Sequence, residues 1–187
     1  VRKVEGPLDF DTRSKIMNLE GKGAEAYWEA FSLLVPDRFG PFRREKRGAK
    51  DVVNSLLNYG YVVLLARVTT AIFYVGLDPY AGFLHVDRSG RESLSLDLME
   101  EFRQQVVDRV VLRLILNKQI KPDAVDEDGL IRREALAVLL DAIERRLDTF
   151  VYTKRRVKLG TAIKNQARAI VRHVLRRKRY SPFYVRY

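Results

Sequence analysis

Leu94, Leu98, Phe102, Val106, Val110 and Leu114 place an apolar side chain at every fourth position of one uninterrupted stretch. That repeat is foreign to a strand, whose faces alternate every second residue, and it predicts a helix over Leu94 to Leu116 with one side buried. The same kind of spacing recurs elsewhere. Ile16, Leu19, Ala24, Tyr27, Phe31 and Leu34 predict a helix or two within Thr12 to Leu34, ended by Pro36. Asp51 is a fair N-cap for an apolar helix or helix pair reaching Val75, where Gly76 and Pro79 stop it. Leu136, Leu139, Leu140, Ile143 and Leu147 predict a helix within Ile131 to Val151. A last helix spans Thr161 to Arg179, with Ile163, Ala167, Ile170, Val171, Val174 and Leu175 facing inward. Strand signals are nearly absent, so the expected fold is all-α: a compact multi-helix bundle forming a single domain over 1–187.

Charge divides this chain unevenly. From Thr149 to Tyr187 there are 12 Lys or Arg and no Asp or Glu, while the rest carries 23 basic and 24 acidic residues. The basic C-terminal segment, 149–187, therefore holds all of the +11 net charge and predicts a polyanionic partner such as nucleic acid. A solvated basic face is the plain alternative. The chain has no cysteine, which excludes disulfides and thiolate zinc sites. Val52 to Val75 is apolar enough to raise the question of a membrane span. Asn54, Asn58, Gly60, Arg67, Thr69 and Thr70 interrupt it, and the expectation is a buried helix with no membrane contact.

Four acidic positions and one histidine stand out. His85 follows Gly82-Phe83-Leu84 in a connector between helices; His173 lies among arginines, which would repel a cation. Asp97, Glu100 and Glu101 crowd together on one helix, where like charges repel unless an Arg, water or a cation separates them. They read either as an exposed acidic patch or as carboxylate ligands of a hard divalent cation. Glu20 sits in Leu19-Glu20-Gly21-Lys22-Gly23-Ala24, small residues that allow close approach of another helix or a phosphate backbone. It reads equally as a surface Glu or a site residue.

Taken in order, four segments resemble those of the CRISPR adaptation integrase family, usually called Cas one. They are Ile16 to Ala24 around Glu20, Asp51 to Tyr61, Gly76 to His85, and Ser95 to Arg103. Gln166-Ala167-Arg168 and Tyr180-Ser181-Pro182-Phe183 also fit that family. The resemblance implies the C-terminal helical catalytic lobe of such an enzyme, with the family's N-terminal β lobe absent from this chain. It implies Glu20, His85 and Glu100 as catalytic metal ligands for Mg2+ or Mn2+, with Asp97 a near-site acid and the rival of Glu100. It further implies a cytoplasmic, divalent-metal-dependent endonuclease and integrase that inserts spacers into the CRISPR array by 3′-hydroxyl attack on a phosphodiester. Implied partners are double-stranded and branched DNA, a second copy of the chain in a homodimer, and the small companion adaptation protein (Cas two).

One imidazole and two carboxylates suit such a cation and leave positions open for water and phosphate oxygens. Arg43, Arg44 and Arg47 in one loop, and Arg168, Arg172 and Arg176 on the last helix, are the expected DNA contacts. The rival expectations are a non-catalytic helical nucleic-acid-binding module, a lobe of a reverse transcriptase fusion, and an assembly subunit.

Overall fold

The computed structural model describes residues 10–46, 48–84, 90–153 and 155–185. His85 and Arg47 lie outside the described residues. Six α-helices account for most of the fold: α1 (Phe10–Ser32), α2 (Val52–Tyr74), α3 (Ser93–Glu100), α4 (Arg109–Leu116), α5 (Arg133–Asp148) and α6 (Leu159–Val174). The all-α expectation holds, with one small addition. Strands β1 (Phe150–Tyr152) and β2 (Arg156–Lys158) form an antiparallel hairpin between α5 and α6, pairing Val151 with Val157.

Helix α2 is the axis of the bundle. Leu56, Leu57, Leu64, Val68 and Ile72 are fully buried, and the helix packs on α3, α5 and α6. Each such side chain contributes about 1.5–3 kcal/mol of burial. The helix is long and apolar enough to cross a membrane, but here its apolar surface makes the core. Asp51 caps it, accepting from the Asn54 N–H at 2.8 Å. Gly60 lies where α2 meets the helix carrying Val107: a Cβ there would stand 2.6 Å from Val107 Cγ1.

The stretch from Ser93 to Leu116 is not one regular helix. After α3 the chain turns at Glu101 and Phe102, then runs as a π-helix over Gln104–Asp108 before resuming as α4. The reason is in the spacing. In a helix of 3.6 residues per turn each step of four overshoots by about 40°, so a long stripe at that spacing swings off the core. The break and the wider π-turn rewind it. Leu94, Leu98, Phe102, Val106, Val110 and Leu114 are consequently all buried.

Two other faces differ from expectation. On α6, Ile163, Ala167 and Ile170 are buried, but Val174 and Leu175 are exposed because the helix has run past the body. Its end is a Schellman turn: Arg176 N–H donates to His173 O and Arg177 N–H to Arg172 O, with Arg176 in the left-handed region at φ 54°. On α1 only the C-terminal end is buried; Leu19 is 70% exposed.

The loop after α4 is pinned to the segment before α2 at Gly129, whose φ is 81° and where a Cβ would lie 2.5 Å from the Ala49 carbonyl oxygen. Gly129→Ala is expected to cost at least about 2 kcal/mol, from left-handed strain plus the clash; urea denaturation measures it.

Candidate metal and nucleic-acid site

Helix α1 meets the body at its two ends. Near the N-terminus, Arg13 Nη2 donates to Phe83 O at 2.9 Å. At the C-terminal end the Tyr27 hydroxyl donates to Asp108 Oδ2 at 2.7 Å, and Trp28 and Phe31 join Phe42 in an aromatic cluster. Between them, residues 19–26 are exposed, and a Cβ added at Gly21 or Gly23 would meet nothing within 4 Å. Arg13, Glu20 and Tyr27 are seven residues apart, two helical turns less about 20° of drift each time. All three therefore share one face of α1. Glu20 lies on the face whose neighbours on both sides touch the body, and is itself exposed among the described residues.

The expected acidic trio on the α3 helix divides into three different roles. Asp97 Oδ2 accepts from the Phe83 N–H (2.6 Å) and the Leu84 N–H (2.9 Å), which fixes the chain immediately before His85. Glu100 is exposed and Oε1 accepts from Arg103 Nη1 at 2.6 Å; its other oxygen has no hydrogen bond among the described residues. Glu101 points the opposite way. It accepts from the Tyr180 hydroxyl (2.5 Å), Gln166 Nε2 (3.0 Å) and the Phe183 N–H (2.9 Å), and Phe183 stacks on Phe102 at 4.7 Å. Burial and the bond to Glu101 both push the Tyr180 hydroxyl well above its ordinary pKa, so it stays a donor. Glu101 is thereby occupied in holding the C-terminal strap, leaving Glu100 as the carboxylate that faces solvent.

Beneath Glu100 lies a polar knot that sequence inspection passed over. Arg103, bonded to Glu100, stacks 4.3 Å over the Tyr61 ring. Tyr61 and Tyr27 both donate to Asp108, which is 3% exposed. Burial raises the Asp108 pKa; the two tyrosine bonds and Arg103 and Arg44 pull it down, and burial prevails. Burial opposes the charge on Arg103, but Glu100 and Tyr61 outweigh it and raise the guanidinium's pKa. The signal available in sequence was Asp108 itself, a single acid inside Val106-Val107-Asp108-Arg109-Val110-Val111, which must find donors if buried.

Among the described residues no group of three His, Asp or Glu side chains is gathered as a metal cluster. Glu20 and Glu100 both face solvent, and His85 lies outside the described residues. What the donor set offers is chemical: two solvent-facing carboxylates and an imidazole, a fit for a hard divalent cation.

The basic residues also separate. Arg44 is not a free surface cation. It bonds Asn54 Oδ1 (2.9 Å) and Asn58 Oδ1 (2.7 Å) and stacks on Trp28 and Tyr61, because its loop folds back over α2. Arg43 is exposed. Arg168 reaches over Tyr74 at 5.8 Å, and Arg176 is exposed at the Schellman turn. Only Arg172 of these borders the main cleft, a space of about 590 Å3 between the hairpin, α6 and the C-terminal strap. Among the described residues Arg155, Arg156, Lys178 and Arg179 add to its basic lining, and no acidic residue borders it. The hairpin hid Arg155 and Arg156 from helix-face reasoning.

A helical bundle with exposed carboxylates on α1 and α3 and, separately, a cleft lined by arginines and a lysine carries the kinds of side chain that nucleic-acid-processing enzymes use. The comparisons make the assignment specific. A family model described as "CRISPR associated protein Cas1" matches residues 2–146, and the chain belongs to that family. It is 44% identical over 193 residues to "CRISPR-associated endonuclease Cas1 1" of Archaeoglobus fulgidus, covering 96% of this chain and 55% of that protein. It is 40% identical to "CRISPR-associated endonuclease Cas1 3" of Thermus thermophilus, covering 89% and 52%. Thus the chain spans about half the length of the curated relatives it matches. Among solved structures it resembles a casposase bound to integration product, with TM-score 0.85, 27% identity and coverage of 93% and 51%. It also resembles a CAS1 protein from Thermotoga maritima, with TM-score 0.81, 32% identity and coverage of 87% and 52%.

Proposed function

We propose that the chain is the helical lobe of a CRISPR adaptation integrase, cutting and joining DNA with Mg2+ or Mn2+ held by Glu20, His85 and Glu100. The observation that carries the reading is the arrangement of anchors around these residues. Arg13 and Asp97 grip the backbone just before His85. Arg103 steadies Glu100, and Glu20 shares the face of α1 that carries the first of these anchors. Membership of the Cas1 family supports it, as do relatives named endonucleases and a structural neighbour bound to integration product.

In this reading the bound cation supplies Lewis-acid polarisation of a phosphodiester and helps activate a water or 3′-hydroxyl nucleophile. The chain's own part is to hold its ligands, orient the His85 connector through Asp97, and lead DNA along the basic cleft. Two carboxylates balance a divalent cation, so a phosphate still approaches. Double-stranded and branched DNA is the proposed substrate. A homodimer and a small companion protein are the proposed partners, the latter because a structural neighbour is a Cas6-RT-Cas1–Cas2 complex (TM-score 0.76, 25% identity). That same neighbour keeps open the reading of this chain as a lobe of a reverse transcriptase fusion.

DNA affinity should fall linearly in log–log form with salt, since phosphates are neutralised by cleft cations. Arg172→Ala is expected to weaken binding of all sequences alike and to reduce the salt slope by about 1. Fluorescence anisotropy across a salt series checks it. The enzymatic part is tested by metal-dependent cleavage of branched DNA.

A further inference from the structure

Helix α1 is a bridge with an unsupported middle. From Arg13 to Tyr27 the helix rises about 21 Å at 1.5 Å per residue, and the stretch 19–26 is exposed with open space around Gly21 and Gly23. Among the described residues Glu20 is exposed, and no hydrogen bond or ion pair sets its place. Its place is set by the roll and tilt of the helix, which are fixed where the helix touches the body.

The two contacts on the Glu20 face lead to the two sides of the proposed site. Arg13 donates to Phe83 O, while the N–H groups of Phe83 and Leu84 donate to Asp97, one turn before Glu100. Tyr27 donates to Asp108, Asp108 accepts from Tyr61, the Tyr61 ring lies under Arg103, and Arg103 holds Glu100. The two chains of contact close a ring from α1 through Phe83 and Leu84 to α3, and back through the buried knot to α1.

We propose that Arg13 and Tyr27, the latter through Asp108, are positioning residues that set the height and roll of Glu20, and so set the affinity of the site for its divalent cation. The inference rests on the ligand assignment above. Neither residue touches the cation; both act through the helix that carries a ligand. With the middle of α1 unpacked, loss of one anchor lets the Glu20 end swing without opening the core. Leu56, Leu64, Phe102 and Ile143 lie in the buried core, and neither the Arg13 nor the Tyr27 hydrogen bond involves them.

The test is Mn2+ binding to the chain, followed by electron paramagnetic resonance of free Mn2+ and repeated as the Mn2+ dependence of cleavage. Tyr27→Phe removes only a hydroxyl, and Arg13→Ala removes only the clasp on Phe83. Each is expected to weaken Mn2+ binding about 10-fold or more, as loss of groups that orient ligands does, with the maximal cleavage rate regained in large part at saturating Mn2+. Arg13→Lys keeps a donor for Phe83 O and is expected to restore most of the affinity. Leu139→Ala, in the core of α5, is the stability control: it lowers the melting temperature without changing Mn2+ affinity. Glu100→Gln is the ligand control. If Glu100→Gln weakens Mn2+ binding while Tyr27→Phe and Arg13→Ala stay within twofold of wild type, the positioning proposal is overturned and the ligand assignment stands. If Glu100→Gln itself leaves binding unchanged, the ligand assignment fails and the positioning proposal falls with it. A loss in Leu139→Ala equal to that in Tyr27→Phe would also overturn the proposal, by reducing it to general destabilisation.

Discussion

Asp108→Ala is expected to lower the unfolding free energy by about 3–5 kcal/mol, the range seen when one partner of a buried charged network is removed. The side chain is 3% exposed and accepts from two tyrosine hydroxyls. Alanine leaves both hydroxyls without an acceptor in a dry interior, each costing about 1–3 kcal/mol, and takes a carboxylate away from Arg103 and Arg44. Domains are stable by only about 5–15 kcal/mol, so the loss takes a large part of the total. At this chain length it corresponds to a fall in Tm on the order of 10 °C. Urea and thermal unfolding measure it. Asp108→Asn keeps the shape and one acceptor and should cost clearly less. The two variants also report on pH. Burial holds the Asp108 carboxyl above its ordinary range, so the folded chain binds that proton more tightly than the unfolded one. This contribution to stability is full below the unfolded pKa of about 3.9 and is lost as pH rises through the folded value. The difference in stability between wild type and Asp108→Asn should therefore shift against the wild type as pH rises across that window. A difference independent of pH would contradict the burial argument.

Much of this architecture was legible in the amino-acid sequence, and the exceptions have physical causes. The apolar stripes located α2, α5 and α6 to within about five residues, because burial of one face is what those helices do; the stripe of α1 also marked its helix, although most of that stripe stays exposed. The π-segment over Gln104–Asp108 was missed although its signal was present: a stripe at steps of four over twenty residues does not stay on one side of a regular α-helix. The β1–β2 hairpin was missed because its strands are three residues each. Phe150 and Val151 continue the apolar character of α5, and only the pairing with Arg156 to Lys158 makes them strands.

The site was legible in its parts and not in its arrangement. Glu20 and Glu100 stand out by their neighbours. That Glu101 is committed to Tyr180, Gln166 and Phe183 could not be read from a helical wheel, since those partners come from α6 and the C-terminal strap. Arg44 looked like a surface cation because its loop is polar; its asparagine partners lie ten and fourteen residues on. Tyr27 belongs to the apolar stripe of the first helix, and nothing in that spacing names Asp108, 81 residues on, as the acceptor of its hydroxyl.

The most direct test of the ligand assignment is cleavage and strand transfer on branched DNA, with and without Mn2+, comparing wild type with His85→Ala and Glu100→Gln while DNA affinity is measured in parallel. Removing a ligand forfeits several kcal/mol of charge stabilisation, so each variant should lose on the order of 10³-fold in rate or more. DNA affinity should remain within a few-fold, because the proposed phosphate contacts lie in the cleft around Arg172 and Arg156 and not at the metal ligands. Mn2+-dependent cutting that disappears in both variants with DNA binding intact is the predicted result. Cutting that survives in either variant, or that needs no divalent metal in the wild type, would contradict the account.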